Sequence, residues 1–341
     1  MQDAKKDIRS LLPEELRAEL EAMGEPAFRA KQVFDWLTKG VRSFDEMGNV
    51  SKALRAKLAE GFTMSAPEVV RKQVSQQDGT VKYLWRLSDG NAVESVVMRY
   101  SYGNTVCISS QVGCRQGCIF CASTGLGFIR NLTAGEMLSE VLFSGLDSGV
   151  PITGIVLMGI GEPLENYDNV RQFLRLVNHP QGLNIGMRHI SLSTCGLVPQ
   201  IDRLAEEALQ LTLSISLHAP DDETRRKLMP ISRKYGLEEL IGSCERYFRR
   251  TERRISFEYA LIRDVNDSPR QAEQLAAILR RTHGHLNLIP LNRVEGSPLI
   301  PGDTRAFSQR LRELGANVTV RRRLGADIDA ACGQLRRKEA T

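Results

Sequence analysis

Between residues 105 and 292 the sequence alternates short apolar runs with longer amphipathic stretches, and this alternation limits the possible folds more than any other feature. Six runs have the composition of buried strands: "TVCISS", "TGIVLMG", "HISLST", "LTLSISLH", "RISFEYALI" and "HLNLIPLN". In the stretches that follow them, apolar residues recur three and four apart, which predicts helices. Near-continuous apolar strands separated by helices are typical of a parallel sheet covered by helices. The pattern therefore predicts an α/β fold, either an open doubly wound sheet or a complete or partial TIM-type barrel.

Two other patterns precede this region. Residues 1–62 contain "PEELRAELEAM", "AFRAKQVFDWLTKG" and "SKALRAKLAEGF", which all have helical spacing of apolar residues. The next stretch has short β-rich runs separated by the turn sequences "QQDG", "SDGN" and "SYGN", which predicts antiparallel hairpins. We therefore expect a helical accessory domain over 1–62, an antiparallel β extension over 63–104, and the α/β region with a C-terminal catalytic segment over 105–341.

The composition limits the kind of protein. A chain of 341 residues with 42% hydrophobic content can bury a sizeable core. No segment approaches the ~20 apolar residues of a membrane span, so we expect a cytoplasmic protein without a membrane partner. Seven cysteines, three of them crowded together, favour metal or catalytic thiols in a reducing compartment over a disulfide scaffold. The run from Arg321 to Arg323, in a chain of net charge +5, is weak evidence for a nucleic-acid partner.

The crowded cysteines are Cys114, Cys118 and Cys121, in the pattern C-x3-C-x2-C. They follow the first strand of the alternating region and precede Thr133 and Glu136, whose spacing is that of a capping box at the start of a helix. Their loop therefore lies at the carboxyl end of a strand, as do "GIGEP", "STCG", "SLHAP" and "LNR". A structural zinc site uses four ligands, and a cubane iron–sulfur cluster normally takes four thiolates. Three thiolates would leave one iron open to a substrate, and zinc remains the alternative on spacing alone.

With Phe120 just before its last cysteine, this pattern resembles the radical S-adenosylmethionine (SAM) superfamily. The wider set "SSQVGCRQGCIFCAS", "GIGEPL", "LSTCG", "SISLHAP", "NLIPLN" and "DIDAACGQL" resembles one family within it, the RlmN/Cfr RNA adenine methyltransferases, and the likeness extends to "KQVFDWLTKGVRSFDEM". The resemblance implies a partial (β/α)6 TIM-type barrel, the radical SAM core, with a small N-terminal helical domain and a β-hairpin extension. It also implies a 4Fe-4S cluster held by the three cysteines, and SAM as both methyl donor and radical source.

The resemblance further implies which residues contact SAM at the strand ends. They are Gly161, Glu162, Ser193, Ser216, Leu217, His218 and Asn292. A carboxylate such as Glu162 would form a charge-assisted hydrogen bond with the ammonium group of the cofactor. Taken alone, His218 or Asn292 would more often be a polar group whose hydrogen bonds are already satisfied.

Three further residues carry the reaction that the resemblance implies. Carbon 2 of adenine has no lone pair, so it cannot attack a methyl group directly. In the family, the cysteine that matches Cys332 takes a methyl group from one SAM, and a radical from a second SAM removes hydrogen from it before the carbon adds to the base. Glu94 matches the proton acceptor, and Cys107 matches the thiol that releases the RNA by forming a disulfide with Cys332. Taken alone, Cys107 would be a buried apolar residue, as we interpret Cys195 and Cys244.

The implied substrate is RNA, namely adenosine 2503 of 23S rRNA and adenosine 37 of some tRNAs, with the target base outside its stack. The motifs "VGCRQGCIFCAS" and "GEPL" favour RlmN members, which methylate carbon 2, over Cfr members, which methylate carbon 8. We also expect a reductant such as flavodoxin, a monomer, and RNA docking by the N-terminal helices and the arginine run. Two other hypotheses stay open: a radical enzyme with another substrate, such as a protein activase, and a cluster- or zinc-containing RNA-binding module.

Overall fold

The computed structural model describes residues 5–292, residues 297–330 and Leu335. The α-helices in this part of the chain are α1 (Pro13–Ala22), α2 (Phe28–Thr38), α3 (Lys52–Gly61), α4 (Ala134–Ser148), α5 (Tyr167–Asn178), α6 (Val198–Glu206), α7 (Asp222–Leu228), α8 (Leu237–Thr251), α9 (Pro269–Arg281) and α10 (Thr304–Glu313). The strands are β1 (Lys6–Asp7), β2 (Phe62–Thr63), β3 (Glu68–Val74), β4 (Val81–Arg86), β5 (Ala92–Tyr100), β6 (Gly103–Cys107), β7 (Gln111–Gly113), β8 (Phe128–Asn131), β9 (Gly154–Leu157), β10 (Ile190–Thr194), β11 (Thr212–Ser216), β12 (Ser256–Leu261), β13 (His285–Pro290) and β14 (Val318–Val320).

The first three helices enclose a small core of their own. Leu16 and Leu20 of α1, four residues apart, pack in it with Val33 and Leu37 of α2. The short strands β1 and β2 pair in parallel beside these helices. The helices expected in residues 1–62 are therefore present, and their apolar faces pack mainly on one another.

Ten strands form the central sheet, in the order β3, β4, β5, β6, β9, β10, β11, β12, β13 and β14. From β6 to β14 neighbouring strands are parallel and follow one another in chain order. A doubly wound sheet would reverse this order at a switch point, so the sheet is that of a partial barrel. Its two edges, β14 and β3, do not pair with each other among the described residues, and the barrel is not closed.

All six strands that the alternating pattern predicts are present in the parallel part. The short strand β14 adds a seventh parallel strand, which the sequence pattern missed because three residues show no periodicity. The antiparallel strands β3 to β5 continue the same sheet, since β5 pairs with β6 from Val96 opposite Cys107 to Tyr100 opposite Gly103. The extension is therefore one layer with the barrel.

The main core lies between the parallel strands and the helices that connect them. Helix α5 presents Val170, Phe173, Leu174 and Val177 to this core, and all four are nearly inaccessible. Burying one such side chain contributes roughly 1.5–3 kcal/mol to folding, so the helical layer is a main source of stability. In the part of the chain that the structure describes, no helix combines the length and apolar character that crossing a membrane requires.

Candidate functional site

A cavity of about 270 Å³ lies at the carboxyl ends of strands β9 to β13. We call it the cysteine-loop cavity. Nine of the residues singled out in the sequence line it: Cys114, Cys118, Cys121, Gly161, Glu162, Ser193, Ser216, His218 and Asn292. Leu217 differs, because its side chain is fully buried in the main core and it is not among the residues that line the cavity.

The three cysteines lie on the loop between β7 and β8, which pair as an antiparallel ribbon. The loop is held by its own backbone: the Cys114 N–H donates to the Gly127 carbonyl at 3.1 Å, and the Cys121 N–H donates to the Cys118 carbonyl at 3.1 Å. The next helix, α4, begins with the predicted capping box, in which the Thr133 hydroxyl accepts from the Glu136 N–H and the Glu136 carboxylate accepts from the Thr133 N–H. Local hydrogen bonds therefore hold both ends of this loop.

The donor set fits an iron–sulfur cluster better than a zinc ion. Three thiolates on one short loop are the donor set of a cubane cluster with one iron left open, whereas a structural zinc ion takes four ligands. Burial raises the pKa of Cys114 to about 11 and raises that of Cys118 as well. These thiols therefore need a cation to hold them as thiolates, which cluster iron supplies.

Glu162 lies at the turn after β9, and its neighbour Gly161 has a φ of +109° that favours glycine. A side chain at Gly161 would also approach the Cβ of Gln111 to 2.7 Å. The two carboxylate oxygens of Glu162 accept from the Cys195 N–H at 2.7 Å and from the Leu164 N–H at 3.0 Å. Burial raises its pKa, and the backbone donors oppose that rise. A ligand cation beside Glu162 would therefore be well placed to keep it ionised.

Ser193 and Ser216 lie near the carboxyl ends of the neighbouring strands β10 and β11, and their hydroxyl oxygens are 3.5 Å apart. His218 follows β11 with a φ of +55°, and its Nδ1 accepts from the Ala260 N–H at 2.9 Å. Its ring centroid is 4.4 Å from that of Phe120 on the cysteine loop. Burial lowers the pKa of His218 to about 3, so the ring is neutral at pH 7. It gives the cavity an uncharged aromatic surface and can donate one hydrogen bond.

Two residues that support this site were not identified from the sequence: one lines the cavity, and the other is buried and is not among the lining residues. Cys195, interpreted as structural, lines the cavity and holds Glu162 through its backbone. Arg225 of α7 is fully buried and donates to the Cys195 carbonyl at 2.7 Å, to the Leu217 carbonyl at 3.2 Å and to the Ser232 hydroxyl at 2.8 Å. It thereby joins the loops that follow β10 and β11. In the sequence it is one of two adjacent arginines, so nothing there distinguishes it from Arg226.

A second cavity, of about 390 Å³, shares part of its wall with the first. We call it the adjoining cavity. Both are lined by Met158, Gly159, Ile289, Asn292 and Arg321. Glu94 and Cys107 line only the adjoining cavity, so the structure brings these two predicted residues together.

Glu94 is almost fully buried, and its carboxylate lies 2.8 Å from the Lys82 ammonium, which is also buried. Lys82 is on β4 and Glu94 is on β5, in diagonal positions, since Lys82 pairs with Val96 and Leu84 with Glu94. A charged residue inside the apolar run "TVKYLW" was the available signal for Lys82. The pair places a carboxylate and its counter-ion in the sheet that forms the cavity wall.

Cys107 ends β6, and burial raises the pKa of its thiol to about 11, while the nearby Arg321 guanidinium opposes that rise. The thiol is therefore protonated at pH 7 in the structure as it stands. Any reaction in which Cys107 acts as a nucleophile must first remove this proton.

Cys332 lies outside the described residues. The segment before it, residues 325–329, is bound to the hairpin that joins β3 to β4. Five hydrogen bonds of 2.6–3.1 Å form this contact: Gly325 N–H to Asp78, Ser75 hydroxyl to Asp327, Gln76 N–H to Asp327, Gln73 side chain to Asp329, and Asp329 N–H to Gln73. Ala330, two residues before Cys332, lines the adjoining cavity. We call the contact between residues 325–329 and the hairpin the hairpin clamp.

Comparison with known proteins agrees with this geometry. Residues 6–64 match the model of the ribosomal RNA large subunit methyltransferase N-terminal domain, and residues 108–276 match that of the radical SAM superfamily. The chain is 53% identical over 317 residues to a probable dual-specificity RNA methyltransferase RlmN of Clostridium tetani, covering 92% of this chain and 91% of that one. An RlmN relative from Desulforamulus reducens is 51% identical over 338 residues, covering 98% and 97%.

Among solved structures, a radical SAM methyltransferase from Sphaerobacter thermophilus superposes with a TM-score of 0.91 at 44% sequence identity, covering 96% of this chain and 98% of that one. The relatives and the solved structure thus agree with this chain along nearly its whole length, and the two domain models match segments within it. The chain belongs to the RlmN family of radical SAM proteins.

Proposed function

We propose that this protein is a dual-specificity RNA methyltransferase that methylates carbon 2 of adenosine, in 23S rRNA at adenosine 2503 and in tRNA at adenosine 37. The observation that carries the proposal is the shared wall of the two cavities. It joins a three-cysteine loop with a carboxylate pocket on one side to Glu94 and Cys107 on the other. An enzyme that needs a cofactor-derived radical and a separate cysteine pair requires such an arrangement.

The cysteine-loop cavity is the proposed cofactor site. Cys114, Cys118 and Cys121 would hold a 4Fe-4S cluster, which when bound supplies the electron that cleaves SAM to a hydrogen-abstracting radical. Glu162 would face the ammonium group of SAM, since its carboxylate is held in place by two backbone donors. The remaining contacts are proposed for Gly161, Ser193, Ser216, Leu217, His218 and Asn292, with Leu217 acting through its backbone.

The adjoining cavity is the proposed site of the adenine base. There Cys332 would carry the methyl group that becomes bonded to the base, and Glu94 would accept the ring proton. Release needs Cys107 to attack the sulfur of Cys332. Before release, the radical adduct would give up one electron to the redox partner as Glu94 takes the ring proton. A sulfur–sulfur bond then forms as the carbon–sulfur bond breaks, and the carbon keeps the electron pair of that bond and takes up a proton to become the methyl group. Because the pKa of Cys107 is about 11, Arg321 would assist by favouring the thiolate.

The other parts of the chain have proposed roles as well. Residues 1–62 would help to dock RNA, residues 63–104 would supply Glu94, and residues 105–341 would form the catalytic barrel with its C-terminal cysteine segment. We propose that the enzyme acts as a cytoplasmic monomer with a reductant such as flavodoxin. Residues Arg321 to Arg323, which all line the adjoining cavity, would contact RNA phosphates.

Mass spectrometry of 23S rRNA and tRNA tests the proposal. A strain lacking this protein would be complemented with the wild type, with Cys332→Ala, or with Cys244→Ala as a matched control in the core. We expect 2-methyladenosine with the wild type and the control and none with Cys332→Ala. Full methylation with Cys332→Ala would refute the mechanism, and 8-methyladenosine would assign the other carbon. Iron and sulfide in the anaerobically purified protein test the cluster, and zinc without iron would exclude it.

A further inference from the structure

Two tyrosines form a stacked pair where β5 turns into β6. The ring centroids of Tyr100 and Tyr102 are 5.0 Å apart, and their planes differ by only 7°. Tyr100 lines the adjoining cavity, whereas Tyr102 is 81% exposed. One face of the Tyr102 ring is therefore against Tyr100, and most of the remaining surface meets solvent. Neither the fold nor the proposed reaction accounts for an exposed ring in this position.

The surroundings of the pair are cationic. Arg321, Arg322 and Arg323 line the same cavity as Tyr100. Burial raises the pKa of the Tyr100 hydroxyl, and Arg321 and Arg322 are close enough to oppose that rise. Aromatic rings beside arginines are the usual means of holding single-stranded RNA, since the rings stack on bases and the arginines neutralise phosphates. An acidic protein would use the arginines but would gain little from a flat, exposed ring.

The pair also lies at a useful distance from the reacting groups. Tyr100 is four residues along β5 from Val96, which pairs with Cys107. Four residues of strand span roughly 13 Å, so a base on the tyrosines would belong to a nucleotide close to the one that reaches Cys107.

We propose that Tyr100 and Tyr102 form a platform on which an unpaired base flanking the target adenosine stacks. The inference rests on the proposed function, because it takes RNA as the substrate. Stacking on a ring accepts any base, so a platform of this kind suits an enzyme that acts on two different RNAs. Tyr102 supplies the contact with the base, and Tyr100 holds its ring flat and near the cavity.

The direct test is tryptophan fluorescence of full-length Tyr102→Trp. The chain has only two other tryptophans, of which Trp85 is fully buried. Leu146→Trp is the matched control, since Leu146 is 55% exposed on α4 and does not line the cavity. The probes are RNA oligonucleotides with the sequence around adenosine 2503, in which single flanking nucleotides are replaced by abasic sites. We expect RNA to quench the indole introduced by Tyr102→Trp and not that introduced by Leu146→Trp, and one abasic position to abolish the quenching.

Kinetics supply the second test. Tyr102→Ala should raise the KM for RNA roughly tenfold or more, because it removes the ring on which the base stacks. Tyr102→Phe keeps the ring and should have the wild-type KM. SAM cleavage without RNA should be unchanged in both. A wild-type KM for Tyr102→Ala, or no quenching of the Tyr102→Trp variant by RNA that binds, would overturn the platform while leaving methylation intact. Quenching by RNA that the enzyme never methylates would support the platform and refute the proposed reaction.

Discussion

Replacing Arg225 by leucine should destabilise the α/β part of the protein and loosen the wall of the cysteine-loop cavity. The guanidinium is fully buried, and its two shortest bonds reach the Cys195 carbonyl at 2.7 Å and the Ser232 hydroxyl at 2.8 Å. A hydrogen bond from a charged donor contributes about 1.5–3 kcal/mol, so the two together contribute about 3–6 kcal/mol. The Leu217 carbonyl loses less, because it still accepts from the Ala219 N–H.

An opposing effect reduces this loss. Burial lowers the pKa of Arg225, which means that the folded protein holds the cation at a cost. Leucine removes that cost and buries apolar surface, an offset of about 1–2 kcal/mol. The free energy of unfolding should therefore fall by about 1–5 kcal/mol in Arg225→Leu.

Urea unfolding of the cluster-free protein under reducing conditions measures this change. In a Trp36→Phe background, the fluorescence comes from Trp85, which is buried in the main core. The control is Arg226→Leu, which removes a side chain that is 54% exposed and lies 3.9 Å from the Asp222 carboxylate. If the urea midpoint of Arg225→Leu equals that of Arg226→Leu, Arg225 does not stabilise the fold as described. Unchanged SAM binding by reconstituted Arg225→Leu would likewise refute its role in holding the cavity wall.

Three further outcomes follow from the site. The rate of Cys107 alkylation by iodoacetamide should be low at pH 7 and should increase about tenfold per pH unit up to the pKa of about 11, because only the thiolate reacts. Peptide mass spectrometry measures this rate, and a rate that stops increasing near pH 8.5 would contradict the raised pKa. Lys82→Met should lower the rate of RNA methylation at least ~10-fold while SAM cleavage is retained, because the Glu94 carboxylate loses its buried counter-ion. Lys82→Arg should lower the methylation rate less, because it keeps a cation beside Glu94. Asp327→Ala should speed hydrogen exchange in residues 325–329 by opening the hairpin clamp, and equal exchange in variant and wild type would show that the clamp does not hold this segment.

Local periodicity carried most of the prediction of the fold. The six apolar strands and the first three helices are identifiable because each pattern lies within one stretch of sequence. Periodicity alone did not identify the chain order of the parallel strands and left a doubly wound sheet open, whereas the partial barrel that the family resemblance implied is confirmed. That choice depends on which strands pair, and pairing is decided by packing between segments that are far apart in the chain.

In the site, too, local motifs were identifiable from the sequence and long-range partners were not. Nine residues that the motifs singled out line one cavity, because strand ends of a parallel sheet converge at one edge. The buried partners Lys82 and Arg225 were missed. Nothing in the sequence distinguishes Arg225 from Arg226, and the position of Lys82 inside an apolar run indicates burial but not its partner. The hairpin clamp joins residues about 250 positions apart, and neither end has a motif that predicts the other.

The antiparallel strands explain how one barrel can serve two cavities. A partial barrel of β/α units brings its functional residues to the carboxyl ends of parallel strands, which here accounts for the cysteine-loop cavity. Strands β4 and β5 extend the same sheet beyond β6 and contribute Lys82 and Glu94, while the hairpin before β4 holds the segment that leads to Cys332. The extension thus supplies the ion pair, the clamp and the tyrosine pair from one continuous layer. Changes in this layer should therefore affect the RNA step and spare SAM cleavage, whereas changes around Arg225 should affect SAM binding first.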